Sequence, residues 1–191
     1  MRYDREHKAQ THRRIVKSAA RKVRADGITG AGLLGVMKSS GLTVGGFYKH
    51  FHSKDELIEE AIGESLLDSR GRMLEAAKRA PAGQGWKVFV TSYLSMEHCE
   101  AAERGCPLAA LSSEIGRAKP AVRKRIVEEL KRHREAIIPL VPGRSAAEKQ
   151  KNFFIAMSAM SGAVSLARVL VEPKAKQAIL DAVREHLLIK L

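Results

Sequence analysis

Apolar residues along this chain recur at intervals of three and four, and alternating apolar/polar runs of the kind that make strands are absent. Ile15, Ala19 and Val23 mark one face of a first helix, with Thr11 as its cap and Gly27 as its end. The segment "GLLGVMKSSG" predicts a short second helix stopped by Gly41, and Thr43 caps a third that runs to His50. Next, "SKDE" forms a capping box, Ser53 at the cap and Glu56 three residues on. A long helix follows to about Lys78, with Leu57, Ala61, Ile62 and Leu66 on one side. After the break "APAGQG", the pattern predicts helices at about 86–103, 107–116, 119–138, 146–170 and 174–190. The fold class is all-α, about nine helices, with three short basic helices ahead of a larger helical body.

Charge sharpens this division. The formal net charge is +13, and residues 1–54 carry twelve Lys/Arg against three Asp/Glu while the remainder carries twenty-two against eighteen. The basic third implies a polyanionic partner, either nucleic acid or an anionic membrane surface. The opening "MRYDREHKAQTHRR" has no apolar secretory segment, and the weakly polar run from Phe153 to Ala167 is shorter than the ~20 residues that span a bilayer. A cytoplasmic protein without a membrane partner is expected. Cys99 and Cys106 are too few for a disulfide framework.

Two short helices joined by a glycine-containing turn predict a helix-turn-helix whose second helix enters the DNA major groove. Within that second helix, Gly45 and Gly46 stand side by side, each costing about 1 kcal/mol relative to alanine. Bare backbone there lets the helix lie close to a duplex. Tyr48, Lys49 and His50 would then offer a hydroxyl, an ammonium and an imidazole to phosphate oxygens. Thr43 and Val44, at the start of the helix, are placed to govern base preference. Phe47 and Phe51 fall on the opposite face as anchors, and Lys54 opens the next helix, where unpaired N–H groups also favour a phosphate. The alternative is an ordinary turn with a solvated basic face.

The stretch "VMKSSGLTVGGFYKHFHSKDELIEEAI", Val36 to Ile62, resembles the DNA-binding signature of TetR/AcrR-type transcriptional regulators. Val36-Met37, Gly41-Leu42-Thr43, Gly45, Tyr48, His50-Phe51 and Lys54 stand at the signature's positions, and "ADGI" extends the likeness back through the first helix. One departure is Gly32, where Ser or Thr commonly caps the second helix. The resemblance implies residues 1–53 as a DNA-binding domain and 54–191 as a ligand-binding and dimerisation domain. It further implies a homodimeric regulator, most often a repressor, released from DNA by a small-molecule effector.

One recognition helix reads too few base pairs to select a genomic site, so a palindromic operator is expected. The helix within Phe153–Leu170 is the candidate dimer contact, through Ala156, Ala159, Gly162, Ala163 and Leu166. Trp86, Phe89, Tyr93 and Met96 form a stripe that is either effector pocket or plain core. The basic run "KPAVRKRIVEELKRHRE" reads as the wet face of a helix whose buried side is Val122, Ile126 and Leu130. No metal spacing, phosphate loop or nucleophile elbow is present, so an enzyme, a metal site and a cofactor are not expected. Cys106 precedes Pro107 at a helix start, a setting that can lower a thiol pKa. A thiol-based redox-sensing regulator and a non-specific architectural DNA-binding protein are therefore the rival readings.

Overall fold

The computed structural model describes residues 2–191, with side chains from Glu6 onward. It is all-α among the described residues, with nine α-helices. These are α1 (Arg2–Gly30), α2 (Leu33–Ser39), α3 (Lys54–Lys78), α4 (Gly85–Tyr93), α5 (Met96–Glu100), α6 (Pro107–Arg117), α7 (Pro120–Ile137), α8 (Ala146–Val169) and α9 (Pro173–Lys190). Short 3-10 segments lie at Val44–Lys49, Ala102–Arg104 and Ile138–Leu140.

Four expectations change at this level. Thr11 does not cap α1; it is a buried mid-helix residue, because the polar but helix-favouring residues before it extend the helix back to Arg2. The single helix expected at 86–103 is broken, since Leu94 leaves helical geometry and Ser95 caps α5 by accepting the His98 N–H at 3.1 Å. The third helix is a 3-10 segment of six residues rather than an α-helix. Gly27, expected to end α1, instead kinks it at φ +79° three residues before its end at Gly30, and a Cβ there would lie 2.9 Å from a Glu114 carboxylate oxygen. That carboxylate accepts the Ile28 N–H freed by the kink at 2.9 Å. Gly41, at φ +69°, closes α2 in the left-handed conformation, and the Leu42 N–H returns to the Met37 carbonyl at 2.9 Å.

Two apolar cores result. The amino-terminal one gathers Ile15, Ala19 and Val23 of α1, Val36 and Met37 of α2, Phe47, Phe51, and Leu57, Ala61, Ile62 and Leu66 of α3. It also takes in Leu111 of α6 and Val122 and Ile126 of α7, so α3, α6 and α7 close over the amino-terminal helices. The second core joins α4, α5, α8 and α9 around Phe89, Tyr93, Met160, Val164, Leu180 and Leu187.

At 24 residues α8 is long and apolar enough to meet a spanning length, unlike the shorter run read from sequence. One face of it packs into the second core, with Ala156, Met160, Ala163, Val164 and Ala167 buried. Ala156 and Ala163 therefore face their own subunit's interior and are unavailable as contacts to a second copy. Ala159, Gly162 and Leu166 remain on the outer side, with nothing within 4 Å of a Cβ at Gly162.

Two histidines of the body, the buried His133 and the half-buried His98, are neutral at pH 7. Burial, reinforced by the Arg70 charge, holds His133 of α7 at a pKa of about 4. His98 also sits at about 4, chiefly through burial, with Arg168 and Arg72 adding to the effect. An unfolded histidine binds its proton near pH 6.5, so the unfolded chain takes up more protons between 6.5 and 4. Stability is thus full above pH 6.5 and falls as pH drops toward 4, by on the order of 3 kcal/mol per residue. Urea unfolding at a series of pH values checks this, and His133→Leu should flatten the slope in that window.

Candidate nucleic-acid interface

The segment after Gly41 is built around two aromatic anchors. Phe47 and Phe51 are each 1% exposed and stack at 5.3 Å with an interplanar angle of 19°. The His12 imidazole stacks on Phe51 at 4.5 Å, and its Nε2 lies 2.7 Å from the Glu60 carboxylate. Phe51 is thereby flanked by α1, and α1 is tied to α3. His12 escaped the sequence reading, although it falls on the Ile15–Ala19–Val23 face, where a polar ring among apolar neighbours is the available signal.

The opposite side of the segment is open. Tyr48 is 73% exposed, its ring edge-on to Phe47 at 5.1 Å, and Thr43, Gly45 and Lys49 are exposed beside it. Val44, Gly46 and His50 are half-buried. Thr43 has the extended backbone of a cap residue, but its hydroxyl makes no capping bond, so it is not the side-chain cap that its position suggests. His50 turns partly inward, toward His12 and Phe51. Burial, with the nearby charges of His12, Lys8 and Lys49, pushes its pKa down, so at neutral pH it brings no positive charge.

The glycine pair is not demanded by the fold. Neither residue has positive φ, and a Cβ on either would meet no atom closer than 4.0 Å. No internal clash therefore requires the pair; Gly45 is exposed, while a Cβ on the half-buried Gly46 would meet Met37 Cε at 4.0 Å.

Lys54 begins α3, whose first turn is capped by Ser53 Oγ accepting the Glu56 N–H at 3.1 Å. The Glu56 carboxylate reaches back to the His52 N–H at 2.5 Å, one residue before the position a capping box prescribes. Asp55 is held by Lys119 at 2.6 Å. Both acids near Lys54 are thus engaged, while Lys54 is exposed and makes no ion pair with the described residues. Of the residues expected to contact DNA, Thr43, Gly45, Tyr48, Lys49 and Lys54 are exposed, and Val44, Gly46 and His50 are half-buried.

The body offers less definite chemistry. Phe89 and Tyr93 are core residues, and Trp86 and Met96 pack partly buried against them. A cleft of about 400 Å³ lies beside this stripe, lined by Arg72, Met73, Ser92, Ser95 and His98, but none of the four stripe residues faces it. Cys106 does precede Pro107 at the start of α6, yet burial pushes its thiol pKa up rather than down. Cys99 is also buried and also raised. The activated thiolate expected from the helix start is reversed by desolvation. The basic run of α7 is a wet face as expected, with Val122 and Ile126 inward.

Residues 15–61 match the family model described as bacterial regulatory proteins, tetR family. No curated protein matches the chain. Among solved structures, a TetR transcriptional regulator from Chloroflexus aurantiacus J-10-fl is similar over 96% of this chain and 95% of its own, at 23% identity and TM-score 0.77. A TetR-family regulator from Cytophaga hutchinsonii aligns over 95% of both chains at 17% identity and TM-score 0.76. The regulator FadR from Bacillus subtilis, solved with stearoyl-CoA, aligns over 93% of this chain and 98% of its own at 16% identity and TM-score 0.69. These likenesses establish the fold of the whole chain.

Gly45→Ala and Gly46→Ala provide a direct test of the outward role of the pair. Each should leave stability unchanged or raise it by about 0.4–1 kcal/mol, since the added methyl restricts the unfolded chain without a clash. Affinity for DNA should fall about tenfold, roughly 1.4 kcal/mol. Thermal melting and fluorescence anisotropy on one sample read both quantities.

Proposed function

We propose that this chain, whose amino-terminal domain belongs to the TetR family of bacterial regulatory proteins, is a cytoplasmic DNA-binding transcriptional regulator. The observation that carries the reading is the two-sided recognition segment, anchored inward by Phe47 and Phe51 and presenting Tyr48, Lys49 and bare glycine backbone outward. Residues 1–53 read DNA, and residues 54–191 pair with a second copy and bind a small effector. The protein acts as a repressor on a palindromic operator, and the effector releases it.

Tyr48, Lys49 and Lys54 contact phosphates, which fix register, while Thr43 and Val44 meet base edges. Gly45 and Gly46 allow the close approach. His50 contributes as a neutral hydrogen-bonding ring. α3 joins the two halves, running from Lys54 at the reading surface to Lys78 in the body. An effector that favours one tilt of α3 changes the spacing of two reading heads, within the limit set by its differential affinity for the two states.

Pairing through the outer face of α8 is supported by its apolar exposure. Phe154, Ile155, Leu166 and Val169 are 45–78% exposed there, and Ile189 of α9 is 77% exposed. Gly162 sits on the same helix with open space beyond it.

In vitro selection from a random duplex pool should enrich a two-fold symmetric site; a chain that enriches no sequence is not a site-specific regulator. On that site, Lys49→Ala should lose about tenfold in affinity and lower the salt slope by about 1 while melting like the parent. Tyr48→Phe should weaken binding less, through one lost hydroxyl contact. Gly162→Leu should lose both dimer mass in solution and operator affinity, at an overpacking cost of about 1–3 kcal/mol. A stable dimer with full affinity would move the interface elsewhere.

A further inference from the structure

The recognition segment is not the only strongly basic surface of the reading head. Residues 7–24 of α1 contain seven Lys/Arg and no Asp or Glu. Two of the seven are engaged, Lys22 with Asp26 at 3.0 Å and Arg24 with Asp68 at 3.1 Å. Arg14, Lys17 and Arg21 are exposed and have no carboxylate partner among the described residues. They follow one another at intervals of three and four, which places them on one face of the helix.

The comparison with α7 makes this absence meaningful. That helix carries six Lys/Arg but also three Glu, and three of the six, Arg125, Lys131 and Arg132, together with Lys119 just before it, are paired with Glu59, Glu128, Glu129 and Asp55 respectively at 2.5–2.8 Å. Like charges spaced three and four apart on a helix destabilise it, so an uncompensated row costs the free protein stability. A polyanion laid along the row removes that cost.

The row also has a shaped setting. Arg14, Lys17 and Arg21 line a concave surface of about 700 Å³ with His7, Gln10 and Ser39. Ser39 ends α2 just before the turn, and Ser18 Oγ of α1 lies 2.5 Å from its hydroxyl. The concavity is thus walled by α1 on one side and the end of the helix-turn-helix's first helix on the other. Toward its amino end α1 passes the far end of the recognition segment, where the His12 and His50 rings are 6.2 Å apart. From residue 14 to 21 the helix rises about 10 Å at roughly 1.5 Å per residue, the axial span of about three phosphates on one DNA strand.

We infer that this α1 face is a second DNA-contacting surface, in which Arg14, Lys17 and Arg21 follow the phosphates of one strand alongside the recognition segment. It supplies affinity without sequence information, and it rests on the DNA-binding reading given above. An anionic membrane is the competing partner for such a row. DNA is favoured because the concavity ends at the turn of the helix-turn-helix and the row carries no apolar residue to insert in a bilayer.

The test uses the full chain carrying Arg14→Gln, Lys17→Gln and Arg21→Gln together, with Lys49→Ala as the contrasting variant. Circular dichroism melting confirms that each is folded. Affinity is measured between 50 and 200 mM salt on the selected duplex and on one of random sequence. Loss of three phosphate contacts should lower the slope of log affinity against log salt by about 3, shrinking the parent's affinity change over that range by about 40-fold. The triple variant should lose the same factor on both duplexes and keep the parental ratio between them. A parental slope in the triple variant overturns this inference while leaving the regulator reading intact. Failure of the parent to prefer any duplex, with Lys49→Ala indistinguishable from it, overturns the regulator reading itself. If phosphatidylglycerol vesicles bind the parent but not the triple variant, while the DNA slopes agree, the row serves a membrane and this inference falls.

Discussion

The Arg24 guanidinium is the point on which the two halves of the molecule meet. It is 3% exposed, and a buried charge is tolerable only when paired and hydrogen-bonded. Arg24 donates to the Ser65 carbonyl at 3.4 Å, the Gly105 carbonyl at 3.5 Å and the Asp68 carboxylate at 3.1 Å. Those acceptors lie on α3 and on the bend before α6, so one side chain of the reading head fixes the angle of two elements of the body. Asp68 is held below the usual carboxylate range by Arg72 and Arg24 together, against the opposing effect of its own burial. Arg72 in turn donates to the Arg104 carbonyl.

The bend is gripped from its other side as well. Arg168 of α8 donates to the Cys99 carbonyl at 2.9 Å and the His98 carbonyl at 3.1 Å, and Arg184 of α9 reaches the Leu94 carbonyl at 3.4 Å. Within it, His98 donates from Nδ1 to the Tyr93 carbonyl at 2.5 Å and accepts the Cys106 N–H on Nε2 at 2.8 Å. Only the neutral ring can do both, which agrees with its depressed pKa. Five carbonyls of this stretch, those of Leu94, His98, Cys99, Arg104 and Gly105, thus accept from arginines of α1, α3, α8 and α9. The break at Leu94 and the bend before α6 leave carbonyls outside regular helix, and the arginines supply donors to them.

None of that network was legible in the sequence, for a physical reason. An arginine in a helix reads as a solvated charge, and only tertiary packing shows that Arg24 points inward. The local signals were read more successfully because they act over four or five residues. Gly41 and the Ser53–Glu56 cap each settle a boundary through their own backbone chemistry, and α3 runs from Lys54 to Lys78 as its caps predict. Thr11 misled because a good cap residue is also a tolerable mid-helix residue. A helical segment does follow Thr43, but it is 3-10 rather than α, since two adjacent glycines weaken the α-helical preference that the flanking pattern implied.

Helix α8 shows where periodicity stops being informative. Apolar residues cover most of its circumference, so spacing alone cannot say which face is inside. The small residues Ala156 and Ala163 seemed suited to a close approach by a second copy, yet they are 0% and 4% exposed, packed within their own core. Small side chains permit close approach of any neighbour, and here the nearer neighbours are α6 and α9. What remains outside is bulkier: Phe154, Ile155, Leu166 and Val169, with Gly162 among them. An apolar band of that kind gains by burial in proportion to its area, at about 25 cal/mol per Å². These large residues are therefore the apolar surface that α8 leaves uncovered within the chain, and Gly162 adds no side chain between them.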